Sequence, residues 1–129
     1  MLVGLTLWAF MHLAGGMWHI DGDVLYARWL LPYLRYDQLT HAIGFGFAGL
    51  AVGEQFEPWM ARGTRAASFT IVLLGGLAVG ALNEMLEFLL TKAVSDTNIG
   101  GFENTGWDLV ANTVGSLFAA TWAAGRSPS

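Results

Sequence analysis

Four long apolar runs, separated by polar connections, set out the plan of the chain. The first covers residues 2–18, where His12 is the one strongly polar side chain; about 17 residues is just long enough to cross a bilayer. Residues 19–36 form the first connection. There Val24, Leu25, Trp29 and Leu31 alternate with Arg28 and Arg35, a pattern that predicts a segment lying in the membrane interface, with Asp23 capping a short turn and Pro32 ending or kinking the segment. A second run, 37–53, opens at Asp37. Residues 54–65 are polar and carry Pro58 and Trp59, an interfacial aromatic anchor. The third and longest run is 66–91, followed by a polar loop over 92–105 that contains Gly100-Gly101. The fourth is 107–124. The pattern predicts an all-α integral membrane protein: a four-transmembrane-helix bundle, one domain over 1–129, with an interfacial segment between helices 1 and 2.

The polar residues inside these runs are unevenly placed. The stretch 75–90 reads GGLAVGALNEMLEFLL, an apolar helix that nevertheless holds Asn83, Glu84 and Glu87. Strict alternation of four spans puts these three near the side that bears the first and third connections, here termed the B side. His12, Asp37, His41, Asp108 and Asn112 fall at the same end of their own spans. With ~1.5 Å rise per residue, His12, His41, Glu84, Glu87 and Asn112 all lie roughly 6 to 10 Å below the B interface. Faces agree as well. Asp37 and His41 are one turn apart and continue into Gly44 and Ala48; Gly76 and Gly80 lead into Asn83, Glu84 and Glu87; Asp108 and Asn112 lead into Gly115 and Ala119. A bundle closed by small residues at one end and opening into a polar, hydrated cavity at the other is the expectation.

Composition narrows the chemistry. Hydrophobic residues make up 54% of the chain and charged ones 12%, too apolar for so small a domain to fold in water, so the bilayer serves as solvent. Net charge is −4 with six basic residues and no basic patch, which argues against a nucleic-acid partner. Cysteine is absent, which removes thiolate nucleophiles and thiolate metal ligands. The N-terminus has neither a charged leader region nor a convincing cleavage site and reads as a mature first span. Arginine and lysine counts tie between the two sides: Arg62, Arg65 and Arg126 against Arg28, Arg35 and Lys92. The acids of the first and third connections tilt the reading toward cytoplasmic termini.

D-x3-H (Asp37, His41), N-E-x2-E (Asn83, Glu84, Glu87) and W-D-x3-N-x2-G (Trp107, Asp108, Asn112, Gly115) together resemble the uncharacterised bacterial inner-membrane family typified by YjdF. The H-L-A-G-G run from His12 and the pair Tyr36-Asp37 are similar to it too. More distantly, the order D-x3-H, Glu, D-x3-N-x2-G resembles the VanZ-like membrane proteins, which are named for a glycopeptide-resistance accessory protein. This chain departs from the VanZ-like pattern in having Glu87 where a glutamine is usual, and no arginine between Lys92 and Asp108. The resemblance implies a bacterial cytoplasmic (inner) membrane and a shared fold and site; it supplies no reaction.

Inserting an acid mid-helix costs about 2.5–3.5 kcal/mol, whereas a polar contact between membrane helices returns about 0.6 kcal/mol on average. Two glutamates on one turn are therefore poorly explained as glue. Three function classes follow. In the first, Asp37, His41, Glu84, Glu87 and Asp108 ligate a divalent metal (Zn, Mn or Fe), with Glu84, Glu87 and His41 catalytic on a lipid or lipid-linked substrate. In the second, the carboxylates and His41 relay protons or cations in a transporter, which would require a homo-oligomer. In the third, the protein binds an amphiphile without catalysis, as an accessory protein. Asn83, Asn112 and His12 are assigned substrate-binding or structural polar roles. For Asp37 the plain alternative is a helix N-cap, for Asp108 a first-turn acid below a Thr105 cap, and for His41 an interfacial residue.

Overall fold

A computed structural model describes residues 1–59, 64–95, 97 and 99–127. Four long helices dominate it: α1 (Leu2–Met17), α2 (Tyr36–Phe56), α3 (Arg65–Ala93) and α4 (Phe102–Arg126). By length and composition α3 is the one helix among the described residues that is long and apolar enough to cross a membrane; α1 is apolar but shorter. In α2 and α4 the residues of the polar stripes dilute the apolar content, which is why neither stands out by composition.

The first connection is not a simple interfacial segment. It folds into two small antiparallel hairpins, β1 (His19–Ile20) with β2 (Asp23–Val24), and β3 (Trp29–Leu31) with β4 (Leu34–Arg35), joined by a 3-10 turn at Leu25–Ala27. Asp21 and Gly22 both take positive φ at the first turn, so the turn falls just before Asp23, which is a strand residue and not a cap. Pro32 occupies the second hairpin's turn, where its fixed φ is an asset. The 3-10 turn seats itself between α1 and α2, and Tyr36 Oη donates to the Met11 carbonyl at 3.0 Å, tying the connection down onto α1.

Other boundaries move by about one turn. Arg35, not Asp37, is the N-cap residue of α2, and the Gln38 side chain reaches back to accept from the Arg35 N–H at 3.0 Å. Helix α2 runs on through Glu54 to Phe56 and ends in a 3-10 turn at Glu57–Trp59. Helix α4 starts at Phe102 with Gly101 as N-cap, so Thr105 lies inside the helix and is not its cap. Arg62, one of the charges used for orientation, lies outside the described residues.

Helices α2, α3 and α4 pack tightly on one another, while α1 lies mainly against α2. Contact is made by the smallest residues. A Cβ placed on Gly115 would run into the Ala42 backbone carbonyl, one on Gly46 into the Gly115 carbonyl, and one on Gly49 into the Val72 carbonyl. Gly76 faces Ser116, and Gly80 faces Asn112. The interior is accordingly mostly Gly, Ala and polar residues, with Phe45 and Val72 the larger apolar members, and the largest fully buried side chains are Asn112, Thr40, Asp108 and Ser116. Large apolar side chains point outward: Leu74, Leu82, Leu86 and Leu89 on α3, and Phe118 and Trp122 on α4. That is the reverse of a water-soluble core and the arrangement expected where lipid is the solvent.

Gly115→Ala should cost about 1–3 kcal/mol through overpacking against α2 and lower the thermal unfolding midpoint in detergent. Gly106→Ala, in the same helix where an added Cβ meets nothing within 4 Å, should leave the midpoint unchanged or raise it. Equal midpoints for the two variants would contradict this packing.

Candidate functional site

The site follows from the packing of α2, α3 and α4. Because Ala42 touches Gly115, its neighbour His41 is delivered to Asn112, one turn along α4, and Gly80 lets Asn112 approach α3 one turn before Glu84. His41 Nδ1 stands 3.1 Å from Asn112 Oδ1 and 3.3 Å from Glu84 Oε1, and Asn112 Nδ2 is 3.4 Å from the same glutamate oxygen. The other ring nitrogen, Nε2, faces Asp37 Oδ1 at 3.5 Å. An imidazole thus bridges a carboxylate on its own helix and one on α3.

Two overlapping sets of potential ligands share that ring. One atom each from Asp37, His41 and Asp108 fall within 4.8 Å of one another, and so do one atom each from His41, Glu84 and Glu87. Glu87 Oε1 accepts from Asn83 Nδ2 at 2.7 Å, one turn apart on α3. Asn104 is the residue that organises the first set: its Nδ2 donates to Oδ2 of Asp37, at 3.1 Å, and to Oδ2 of Asp108. Their Oδ1 atoms are left unengaged by the amide, and Asp108 Oδ1 and Glu84 Oε2 are buried with no hydrogen-bond partner.

Asp108 and Asn112 are 1% exposed, Glu84 4% and His41 5%, whereas Asp37 and Glu87 are half-buried, so the inner part of the cluster is enclosed and its margin is not. The first connection packs on α1 and α2 at the same end. Tyr26 Oη donates to the His12 carbonyl at 2.8 Å and sits 2.6 Å from His12 Nδ1. Burial pushes the Tyr26 hydroxyl pKa up, and the carboxylates of Asp37 and Glu87 add to the shift.

Of the residues singled out in the sequence, Asp37, His41, Glu84, Glu87, Asp108 and Asn112 are brought together, with Asn83 orienting Glu87 from the margin. His12 is not in either close set; it is exposed on α1 and engaged with Tyr26. Asn104 and Tyr26 escaped sequence reasoning. Asn104 had a usable signal, since N-x3-D places it one turn before Asp108. Tyr26 had none, because a hairpin connection has no helical period to read.

Charge is the unusual feature of this cluster. Four carboxylates surround one imidazole, and among the described residues no lysine or arginine pairs with any of them. A low-dielectric interior does not hold uncompensated like charges; protons or a bound cation must balance them. The arrangement defines the class: a helical membrane protein with a buried acid/histidine centre. Residues 1–128 match the family described as "Predicted membrane protein (DUF2238)", and the chain belongs to that family. No curated protein and no solved structure matches the chain.

Asn104→Ala strips one donor from two carboxylates and should destabilise the protein by about 1–3 kcal/mol. Thr113→Ala removes only a hydroxyl that back-bonds the Leu109 carbonyl on an outer face and should cost under about 0.5 kcal/mol. Denaturant or thermal unfolding of the two variants side by side checks the ordering.

Proposed function

We propose that the chain is a four-span membrane protein that holds a divalent metal ion in its acid/histidine centre and uses it on a lipid or lipid-linked substrate at one membrane face. One observation carries this reading: one ligand atom each of Asp37, His41 and Asp108 lie within 4.8 Å of one another, while Asn104 engages Oδ2 of both aspartates and so leaves an oxygen of each free. Distance supports an ion there over a direct pair. Charge-assisted hydrogen bonds run about 2.7–2.9 Å, whereas ligand atoms ~2.1 Å from a tetrahedral metal stand about 3.4 Å apart. His41 Nε2 and Asp37 Oδ1 are 3.5 Å apart. Nitrogen and oxygen donors without sulfur suit Zn, Mn or Fe.

The remaining residues fall into supporting roles on this reading. Glu84 and Asn112 hold His41 Nδ1 and fix the tautomer that presents Nε2, the arrangement usual for metal-bound histidine. Glu87, oriented by Asn83, is placed to take a proton from a water or substrate hydroxyl. When bound, the ion would supply Lewis acidity and a water nucleophile near neutral pH. The outward apolar faces of α3 and α4 support the four-span reading. The order of motifs from Asp37 to Gly115 supports placing the chain with the YjdF-type proteins, and so in a bacterial cytoplasmic membrane.

Metal analysis of protein purified in detergent tests the proposal. Wild type should carry about one divalent ion per chain, and His41→Ala and Asp108→Asn should lose it. Zn or Mn at about 100 times Kd should stabilise wild type by about 2.7 kcal/mol and leave the variants unmoved. The proposal is lost if wild type and variants share the same negligible metal content and show no thermal shift.

A further inference from the structure

At the B end of the bundle, beside the acid/histidine centre and outside it, lies a pocket of about 350 Å³ between the second hairpin and the starts of α2 and α4. Its walls carry one cation, Arg35, and one anion, Glu103, with the indoles of Trp29 and Trp107 and the amide of Asn104. The Arg35 guanidinium lies 4.6 Å over the Trp29 ring, which fixes its plane, yet its Nε is buried with no hydrogen-bond partner. A guanidinium held in a set orientation on a pocket wall, with no carboxylate paired to it among the described residues, suits an anionic acceptor supplied from outside. Glu103 has no lysine or arginine partner among the described residues.

We propose that this pocket seats the zwitterionic headgroup of a phospholipid, with its phosphate on Arg35 and its ammonium between Glu103 and the Trp107 ring. The pairing follows from the chemistry of each end. A guanidinium presents parallel N–H donors that match two phosphate oxygens. A primary ammonium satisfies a carboxylate and gains from an indole face. One fixed positive and one fixed negative wall suit a zwitterion; a headgroup bearing phosphate alone would leave Glu103 unbalanced. Trp29 and Trp107 are both partly exposed beside an Arg, the composition of a headgroup-level belt, which favours a lipid over a free phosphoester.

Asn104 makes the pocket matter for chemistry. The amide that lines it also holds Asp37 and Asp108, so a seated headgroup lies one side chain from the centre. The inference thus deepens the proposed function by naming its substrate class, and it rests on that reading for the chemistry, although not for the binding.

Native mass spectrometry of the full chain in detergent, titrated with dihexanoyl-phosphatidylethanolamine, reads the binding directly. Wild type should retain this lipid better than dihexanoyl-phosphatidylglycerol, and Arg35→Gln should weaken retention by about tenfold or more. Glu103→Gln should abolish the preference between the two lipids. The thermal unfolding midpoint measured on the same samples serves as the folding control and should be unchanged by Arg35→Gln, as should any metal content. Equal retention by wild type and Arg35→Gln, or no preference in wild type, would overturn the proposal. Free phosphoethanolamine binding as tightly as the lipid would overturn its assignment to a lipid. Metal without lipid binding removes this inference and leaves the metal centre standing; lipid binding without metal does the reverse.

Discussion

Helix α4 passes α2 backbone against backbone at Gly115 and Ala42, where there is no room for even a Cβ. No side chain separates the helices there, and the same is true where Gly49 meets the Val72 carbonyl on α3. In lipid, apolar side chains gain little from turning inward, so helices associate through close packing and polar contacts. Glycine permits both. It brings the axes near enough for side chains as short as Asn112 and Asp108 to span the gap, and it fixes register, because a helix seated on a backbone carbonyl cannot slide without a clash. His41, Asn112 and Glu84 meet because their neighbours are already locked.

Electrostatics then works within a space that packing has closed. Four carboxylates surround one imidazole with no arginine or lysine paired to them among the described residues, and Asn104 and Asn83 spend their amides holding individual carboxylate oxygens in place. Hydrogen bonds of this kind orient the acids without neutralising them, so protons or a cation must supply the balance. Tyr26 and Tyr36 fasten the neighbouring chain onto α1 beside this cluster. The Arg35 pocket is the partly open counterpart on the same end of the bundle, and it shares Asn104 with the buried centre.

Much of this was legible in the chain itself, for identifiable reasons. Helical period places Asp37 with His41, Asn83 with Glu87, and Asp108 with Asn112, because residues three or four apart share a face wherever the helix goes. Alternation of spans puts those faces at one end. The glycine stripes announce close contacts, since small residues recurring every fourth position have little other use in a lipid-facing helix. Elements without a helical period stayed hidden: the two hairpins, the Leu25–Ala27 turn and the Tyr26 contact with His12. Helix ends shifted by a turn because capping can be met by several neighbours, as Gln38 and Gly101 illustrate in place of Asp37 and Thr105.

By itself, then, the sequence determined four helices, their polar stripes, and eight candidate residues at one end of them: His12, Asp37, His41, Asn83, Glu84, Glu87, Asp108 and Asn112. What the tertiary structure decided was which of those polar atoms meet and how deeply each is buried. It buried His41, Glu84, Asp108 and Asn112, left Asp37 and Glu87 half-buried at the margin, and divided one acid cluster into two sets sharing the His41 ring. It also left His12 outside and brought Asn104 in. Those outcomes depend on backbone distances of a few ångströms between segments far apart in the chain, a quantity that periodicity along one helix does not contain.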